Sequence, residues 1–309
     1  MDLSLSGLKV IERVLVIFIL MLFGIIGRKF NLIKEETKES LGDIMLNLAL
    51  PPLIFVSMVS DINWERLAIG WILPLISFVL VLIGIFFASK LGRLLSVPSD
   101  CLGTFTILCS MPNTAFIGFP LIFSLLGKEG LAYAVLFDFG ITIAFFSVAI
   151  LILKGQKRQF SWWQALFNPP FLAVVAGLIA NKLNLKIPEL VMEPMRIMGN
   201  TTIPLAMLLM GYMIAQTKFS IKSVDLKLIV VCLFKLLIYP LLASIILVPL
   251  KLDPLVLAVI LIETAMPSMA STVVLVQKYG GDENFAASGI FLTTLFSIFT
   301  IPLVIYLLL

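Results

Sequence analysis

The sequence predicts an all-α polytopic membrane protein, and three observations lead to this prediction. Of the 309 residues, 61% are apolar before glycine is counted, whereas an ordinary soluble domain reaches about 45 to 50% with glycine included. Charged residues make up only 13% of the chain, about half the usual share. They stand in short clusters between long apolar runs, which is the distribution expected where lipid replaces water.

The composition also excludes several classes of function. The chain has no histidine and only three cysteines, so it contains no zinc-type ligand set, no histidine-based catalytic triad and no disulfide framework. A net charge of +4 is too small and too scattered for a nucleic-acid-binding surface. We therefore expect a lipid-embedded protein that is not an enzyme, carries no cofactor and binds no nucleic acid.

Ten apolar runs qualify as membrane-spanning helices, because a helix needs about 20 apolar residues to cross a hydrocarbon core of about 30 Å. In chain order these spans are residues 8–27, 41–60, 67–89, 101–126, 131–153, 164–181, 195–216, 226–250, 255–277 and 285–309. No small-residue cleavage site follows the first run, so we interpret it as a retained span and not as a signal peptide. The connections are too short for a water-soluble domain.

The basic residues of the loops predict the orientation in the cell membrane. Loops after the odd-numbered spans carry 13 Lys and Arg residues, and the opposite side, including the N-terminus, carries 8. Cytoplasmic loops are enriched in Lys and Arg, so the first loop is predicted to be cytoplasmic and both termini extracellular or periplasmic. The loop after span 6 has three basic residues on the outer side and runs against this trend.

The two halves of the chain repeat one another at a nearly constant offset. NLALP at 47–51 corresponds to NTTIP at 200–204, Met111-Pro112 to Met266-Pro267, and Gly127 to Gly281, at offsets of 153, 155 and 154. These pairs predict a first five-helix repeat over 1–153, a short cytoplasmic linker over 154–163, and a second repeat over 164–309. An odd number of helices inverts the second copy, an architecture characteristic of secondary transporters.

Spans 4 and 9 each carry a proline near mid-membrane, Pro112 and Pro267, beside small polar residues. A proline removes a backbone hydrogen bond, and in lipid the freed carbonyl groups need cover from protein or a water-filled cavity. We predict that both helices break there and cross near the bilayer centre, with their half-helix N-termini offering partial positive charge to an anion. The alternative is two ordinary proline kinks, and their equivalent positions in the repeats favour the break.

The sequence around these prolines resembles a known family. The stretches MPNTAFIGFP at 111–120, AMPS at 265–268, and YGGDE at 279–283 before an Ala-rich final span look like those of the auxin efflux carrier family, which includes the plant PIN proteins and bacterial malonate or malate permeases. The resemblance covers essentially the whole chain, and residues 112–120 are its most specific part. The long cytoplasmic loop of the larger plant members is missing, which favours a compact prokaryotic member.

This resemblance implies a fold of ten helices in two inverted five-helix repeats, similar to the sodium/bile-acid symporters, with broken and crossed helices 4 and 9. It implies a scaffold domain of spans 1, 2, 6 and 7 and a transport domain of spans 3 to 5 and 8 to 10 that move against each other in an elevator mechanism. It also implies a homodimer formed through the scaffold helices. The expected function is secondary transport of small organic anions.

Three ionisable side chains lie inside predicted spans, where each costs about 2.5 to 3.5 kcal/mol on insertion scales. They are Asp138 on span 5, Lys235 on span 8, and Glu263 on span 9, one helical turn before Pro267. Lys235 could simply neutralise one of the two acids without any role in transport. Alternatively, carboxylates beside a helix break supply hard oxygen ligands for Na⁺, or carry a proton.

Bile-acid sodium symporters have a Glu before the span 9 crossover that acts with an Asn at the span 4 crossover, and Glu263 and Asn113 occupy comparable positions. Asp138 and Thr142 face the same region if span 5 packs against span 4. This similarity predicts a sodium site at Asn113, Asp138, Thr142 and Glu263, with Na⁺ as the coupling ion. Proton coupling and uncoupled transport stay open as alternatives.

We expect the substrate pocket to lie between scaffold and transport domains. The residues expected to line it come from the two crossovers and from spans 2, 7 and 8: Pro112, Asn113, Thr114, Pro267, Ser268, Asn47, Asn200 and Lys235. Such donors suit a small carboxylate, and Lys235 could neutralise a second carboxylate, as in malate or malonate. For Asn47 and Asn200, a role in hydrogen bonding between helices is an equally good interpretation. The polar face of span 10, which includes Thr293, is interpreted as a close helix-packing surface. A channel or receptor without coupled transport is the alternative function.

Overall fold

A computed structural model describes residues 7–59, 70–154, 169–216 and 225–309. These residues are helical apart from short connections and one isolated β-bridge, and no strand occurs among them. The predicted linker from residue 155 onward and the start of the sixth predicted span lie outside the described residues. The described part is an all-α polytopic membrane protein, as the composition predicts.

The described residues of the first half form seven α-helices, several of which are continuous with π-helical turns. They are α1 (Gly7–Lys29), α2 (Glu35–Asp43), a π-turn (Ile44–Ala49), α3 (Leu50–Val59), α4 (Leu73–Leu94), α5 (Ser99–Ser110), a π-turn (Thr114–Gly118), α6 (Phe119–Ala144), a π-turn (Phe145–Ala149) and α7 (Ile150–Lys154).

The second half contains eight described α-helices. They are α8 (Pro169–Lys182), α9 (Glu189–Asn200), α10 (Thr202–Gln216), α11 (Leu226–Leu233), a π-turn (Phe234–Ile238), α12 (Tyr239–Leu247), a 3₁₀ turn (Val248–Leu250), α13 (Pro254–Ala265), α14 (Thr272–Tyr279) and α15 (Glu283–Leu308).

Seven helical stretches of the described residues are long and apolar enough to cross a membrane, and two shorter apolar helices, α8 and α13, accompany them. The sequence predicts ten spans. The counts differ for three reasons. Helix α13 ends at an interruption and is too short to span a membrane, the first residues of the sixth predicted span lie outside the described residues, and Thr114–Leu153 counts once although Gly127 interrupts it with a φ of 69°. The helix of the seventh span also begins at Glu189, earlier than its predicted start at residue 195.

The helices pack mainly in two groups. In one group α1 packs on α10, and α3 packs on α8 and α9; in the other, α4 packs on α5 and α6, and α13 packs on α6, α12 and α15. Glycines permit the closest of these contacts, because a Cβ on Gly211 of α10 would lie 3.0 Å from the Cα of Gly24 on α1. Small residues of this kind let helix backbones approach each other where lipid supplies no hydrophobic driving force between helices.

Candidate functional site at two interrupted helices

The chain interrupts two helices where the sequence predicts breaks. Helix α5 ends at Ser110, Met111 is extended with φ −105° and ψ 115°, and helical structure resumes at Thr114. Helix α13 ends at Ala265, Met266 is extended with ψ 149°, and α14 begins at Thr272. Each interruption contains one of the two prolines, which disfavour helical structure at the preceding residue and donate no hydrogen bond.

The two interruptions lie side by side and satisfy each other's backbone groups. The Asn113 N–H donates to the Pro267 carbonyl at 2.8 Å, and the Met269 N–H donates to the Met111 carbonyl at 2.9 Å. Pro112 and Ser268 form an isolated antiparallel bridge between these bonds. We call residues 111–113 and 267–269 the paired segments. Buried backbone groups need such partners where the helix that would otherwise pair them is interrupted.

Helix α15 supports the paired segments through Thr293. The Ser268 N–H donates to the Thr293 hydroxyl at 3.2 Å, and that hydroxyl donates to the Gly289 carbonyl at 2.7 Å. The Ser268 hydroxyl in turn donates to the Leu108 carbonyl of α5 at 2.7 Å. From the sequence, Thr293 is interpreted as a helix-packing residue. Its contact with the second interruption was not predicted, because hydropathy does not indicate which group a buried hydroxyl bonds to.

A cavity of about 600 Å³ borders the paired segments. Its polar lining residues are Asn47, Asn113, Asp138, Thr142 and Ser271. Its apolar lining residues are Leu46, Leu50, Ala115, Phe116, Phe119, Phe145, Phe146, Pro169, Pro170 and Met269. No Lys or Arg is among these lining residues. The four phenylalanines were not predicted as site residues, although Phe116 and Phe119 lie inside the stretch 111–120 that carries the family resemblance.

Asp138 has a hydroxyl donor on each carboxylate oxygen. Thr114 donates to Oδ1, and Thr142, one turn along α6, donates to Oδ2 at 3.4 Å. Asp138 and Thr142 line the cavity and are 7% and 9% exposed. Nearby, the buried Asn113 amide donates to the Met210 sulfur of α10 at 3.7 Å, a weak partner that a ligand could replace. The oxygens of Asp138, Thr114 and Thr142 are hard ligands of the kind that an alkali or alkaline-earth cation prefers.

Lys235 and Glu263 are fully buried and do not line the cavity. The Lys235 ammonium donates to the Thr264 carbonyl at 2.7 Å and lies 4.7 Å from the centre of the Tyr239 ring. Among the described residues neither carboxylate oxygen of Glu263 has a hydrogen-bond partner. Glu263 packs against Gly118, where an added Cβ would lie 2.8 Å from its carboxyl carbon.

The predicted site residues thus fall into four places. Asn47, Asn113, Asp138 and Thr142 line the cavity. Thr114 contacts Asp138, while Pro112, Pro267 and Ser268 belong to the paired segments. Glu263 lies in the last turn of α13, Lys235 donates to the Thr264 carbonyl of the same helix, and neither lines the cavity. Asn200 is exposed at the end of α9 and is not among the cavity-lining residues.

Two helix beginnings border the same cavity. Ala115 and Phe116 belong to the first turn after the first interruption, and Ser271 directly precedes α14. The first N–H groups of a helix lack partners within the helix and carry partial positive charge. The cavity can therefore receive the carboxylate of a small ligand between two helix N-termini and the Asn113 amide, and an apolar body against the phenylalanine rings.

Comparison with known proteins agrees with a membrane transport role. Residues 9–161 and 156–305 match the family described as Membrane transport protein. The chain is similar to an uncharacterized transporter of Methanocaldococcus jannaschii, with 28% identity over 300 residues that cover 94% of this chain and 96% of that protein. It is likewise similar to an uncharacterized transporter of Methanothermobacter thermautotrophicus, with 28% identity over 295 residues and the same coverage of 94% and 96%.

Proposed function

The chain belongs to the membrane transport protein family of auxin efflux carrier type, and from that premise we propose that it is a secondary transporter of small organic anions across the cell membrane. The observation that carries this proposal is the cavity of about 600 Å³ into which two helix N-termini and the Asn113 amide converge. Buried donors that are fixed before the ligand arrives can replace the hydration shell of a carboxylate.

Backbone conformation supports the proposed inverted repeat. Six of the seven positive φ angles among the described residues form three pairs between the halves: Asn31 (54°) and Asn184 (48°), Ser96 (52°) and Lys251 (50°), Gly127 (69°) and Gly281 (128°). The seventh, Gly280 (97°), directly precedes Gly281. Positive φ angles are uncommon outside glycine. Their recurrence at offsets of 153 to 155 is therefore not expected by chance and supports the repeat.

Hydrogen bonds at the helix ends repeat in the same way. After α1, Asn31 donates to Arg28 at 3.1 Å and Leu32 donates to Gly27 at 2.8 Å. After α8, Asn184 donates to Asn181 at 2.9 Å and Leu185 donates to Ala180 at 3.0 Å. Each bond after α8 joins residues that lie 153 positions after those of the matching bond after α1. This supports α1 and α8 as the equivalent first helices of two repeats.

The position of the cavity supports an elevator-like mechanism. One wall comes from the π-turn before α3 and from the start of α8, which belong to the proposed scaffold domain. The other wall comes from the paired segments, α6 and the π-turn after it, which belong to the proposed transport domain. We propose that substrate bound between these walls moves with the transport domain, so that access alternates between the two sides of the membrane.

The charge of the lining favours substrates with one carboxylate. No Lys or Arg is among the described residues that line the cavity, and Lys235 donates to the Thr264 carbonyl instead of lining it. Among these described residues a second carboxylate, as in malate or malonate, would meet no cationic side chain and would approach Asp138. We therefore propose that a monocarboxylate with an apolar body binds more tightly than a dicarboxylate.

Sodium coupling stays part of the proposal, with the ion at Asn113, Asp138, Thr142 and Glu263. The cavity-lining members support it, because the Asp138 carboxylate and the Thr142 hydroxyl lie within 3.4 Å of each other and Asn113 lines the same cavity. Glu263 does not line the cavity and is the least supported ligand.

Ligand binding followed by counterflow tests the proposed function. Purified protein is first screened by thermal shift against benzoate, malonate and malate, with and without Na⁺. We expect the largest stabilisation from benzoate, since a ligand that binds only the folded state raises the unfolding temperature. In proteoliposomes preloaded with the best ligand, uptake of its labelled form should accelerate. Uptake that preloading does not accelerate would favour a channel and contradict the carrier.

A further inference from the structure

The two interruptions occupy equivalent positions in the proposed repeats but present different side chains to the cavity. The offset of 155 that relates Pro112 to Pro267 also relates Phe116 to Ser271. Both residues line the cavity, and each stands at the beginning of the helical structure that follows its interruption. The first interruption therefore offers an aromatic ring where the second offers a hydroxyl group.

The Ser271 hydroxyl group is free to bind a ligand. Ser271 is the N-cap residue of α14, a position where a serine side chain ordinarily accepts a hydrogen bond from one of the first N–H groups of its own helix. It makes no such bond, because its backbone is already helical, with φ −68° and ψ −7°, whereas a capping serine is typically extended. Among the described residues this hydroxyl group has no hydrogen-bond partner, although the residue is half-buried at the cavity.

Two backbone donors follow Ser271 in the chain. The N–H groups of Val273 and Val274, in the first turn of α14, donate to no backbone carbonyl among the described residues, as is usual at a helix N-terminus. The partial positive charge there favours an anion. A second donor points to the same kind of ligand, because the Asn113 amide lines this cavity, is 1% exposed and meets only the Met210 sulfur.

The aromatic part of the lining comes from the other half of the chain. The second interruption contributes Met269 and Ser271 to the lining, and neither has a ring. The phenylalanines of the lining all precede residue 147: Phe116, Phe119, Phe145 and Phe146. A ring in the ligand gains most against these side chains, since aromatic pairs gain more than their buried area alone provides. The polar and the aromatic part of a ligand thus find their partners in different halves.

We infer that Ser271 is a substrate-binding residue that sets the orientation of the ligand in the cavity. The inference rests on the proposed transport of small organic anions and names the residue that distinguishes two otherwise equivalent helix beginnings. The two oxygens of one carboxylate accept hydrogen bonds from the Ser271 hydroxyl group and the Asn113 amide, and the apolar body lies against Phe116. A ligand turned end for end would place its carboxylate against the Phe116 ring, which offers no hydrogen-bond donor.

Ser271→Ala is expected to weaken benzoate binding by about ten- to 100-fold, the loss of one hydrogen bond to a charged group. Ser271→Thr retains a hydroxyl group and should bind like the wild type. Without ligand, the unfolding temperature of Ser271→Ala should be unchanged, because the hydroxyl group caps no helix. Isothermal titration and thermal unfolding of the purified proteins measure these properties. Ser89→Ala is the control and should bind like the wild type, since the Ser89 hydroxyl group bonds within its own helix and Ser89 is not among the cavity-lining residues.

A wild-type benzoate affinity in Ser271→Ala would overturn the inference. An equal loss of affinity in Ser271→Thr would overturn it as well, and so would a loss in Ser271→Ala that is accompanied by a lower unfolding temperature without ligand, since either result assigns Ser271 a structural role. If the wild type binds none of the tested anions, the proposed function fails and the inference fails with it. That outcome is recognised without any variant.

The orientation is tested with 4-methylbenzoate, whose methyl group extends the ring away from the carboxylate. Phe116→Ala removes the ring that this methyl group approaches. The ratio of 4-methylbenzoate affinity to benzoate affinity should therefore rise above that of the wild type, by about fourfold for one additional buried methyl group. Ser271→Ala should leave this ratio unchanged. A ratio that rises in Ser271→Ala instead, or in neither variant, would overturn the proposed orientation.

Discussion

At the scale of single residues, the side-chain amide of Asn113 is available to a ligand in the cavity. Its backbone N–H is committed to Pro267, but its side-chain amide meets only the sulfur of Met210, at 3.7 Å. A thioether is a weak acceptor, so a carboxylate can replace it with little loss. Asn113 should therefore contribute more to ligand binding than to stability.

Asn113→Ala is expected to weaken binding of the best carboxylate by about ten- to 100-fold, the loss of one hydrogen bond to a charged group, about 1.5 to 3 kcal/mol. Isothermal titration or thermal shift on the purified variant measures the change. Asn200→Ala provides the matched control, because Asn200 is exposed and is not among the cavity-lining residues, and it should bind like the wild type. Equal affinities for Asn113→Ala and wild type would exclude the amide from the site.

Asp138→Asn is expected to abolish the response to sodium, because an amide carries no charge to hold the cation. Thermal unfolding in Na⁺ and in choline at fixed pH should show stabilisation by Na⁺ in the wild type and none in this variant. Uptake in proteoliposomes with Na⁺ replaced by choline provides the transport measurement. A wild type that transports equally in both media would leave proton coupling or uncoupled transport.

At the scale of helices, the contact between α1 and α10 depends on glycine. A Cβ on Gly24 would lie 2.9 Å from the Tyr212 nitrogen, and one on Gly211 would lie 3.0 Å from the Gly24 Cα and still nearer to the Met21 carbonyl oxygen. Two backbones in contact cannot adjust as a flexible side chain can. The hydropathy of these segments predicts that they are spans, but it does not indicate that they touch.

Gly211→Ala is expected to destabilise the protein by about 1 to 3 kcal/mol, the usual cost of overpacking. Its unfolding temperature in detergent should fall below that of the wild type. Gly42→Ala is the control, because its Cβ would meet only the Leu209 side chain, at an ordinary 3.5 Å, and alanine favours the helix. An unchanged midpoint for Gly211→Ala would contradict the close contact between α1 and α10.

Helix ends show what local sequence can and cannot predict. The interruptions at Pro112 and Pro267 are confirmed, because proline acts on its own helix wherever that helix is placed. The π-turn at residues 44–49 and the early beginning of α9 were not predicted. Both depend on how a helix packs on its neighbours, and the periodicity of apolar residues does not contain that information.

At the scale of the whole molecule, charge and repeat together determine the expected topology. Two repeats of five helices would place the N- and C-termini on the same side of the membrane. The excess of basic residues, 13 against 8, predicts that this side lies outside the cytoplasm. Orientation is thus a property of the complete chain and cannot be assigned from one helix.

Alkaline phosphatase fusions in a bacterial host test this topology. The enzyme requires disulfides and is active only outside the cytoplasm. A fusion after Leu309 should therefore be active, and a fusion within the linker 154–163 should be inactive. Activity from both fusions, or from the linker alone, would contradict the predicted orientation or an odd number of helices per repeat.

The sequence by itself determined that the chain is an all-α membrane protein of a transporter family and that two of its helices break. Composition is an average over the whole chain, and a proline acts on its own helix. Both predictions can therefore be made without knowing which helices pack together. Only the tertiary structure decided that residues 111–113 pair with 267–269, that Asp138 receives two hydroxyl donors, and that Lys235 bonds to the Thr264 carbonyl. It also decided that Glu263 meets no hydrogen-bond donor among the described residues. These contacts join residues up to 158 positions apart, as in the bond from Met269 to Met111, and a partner at that distance depends on how helices pack.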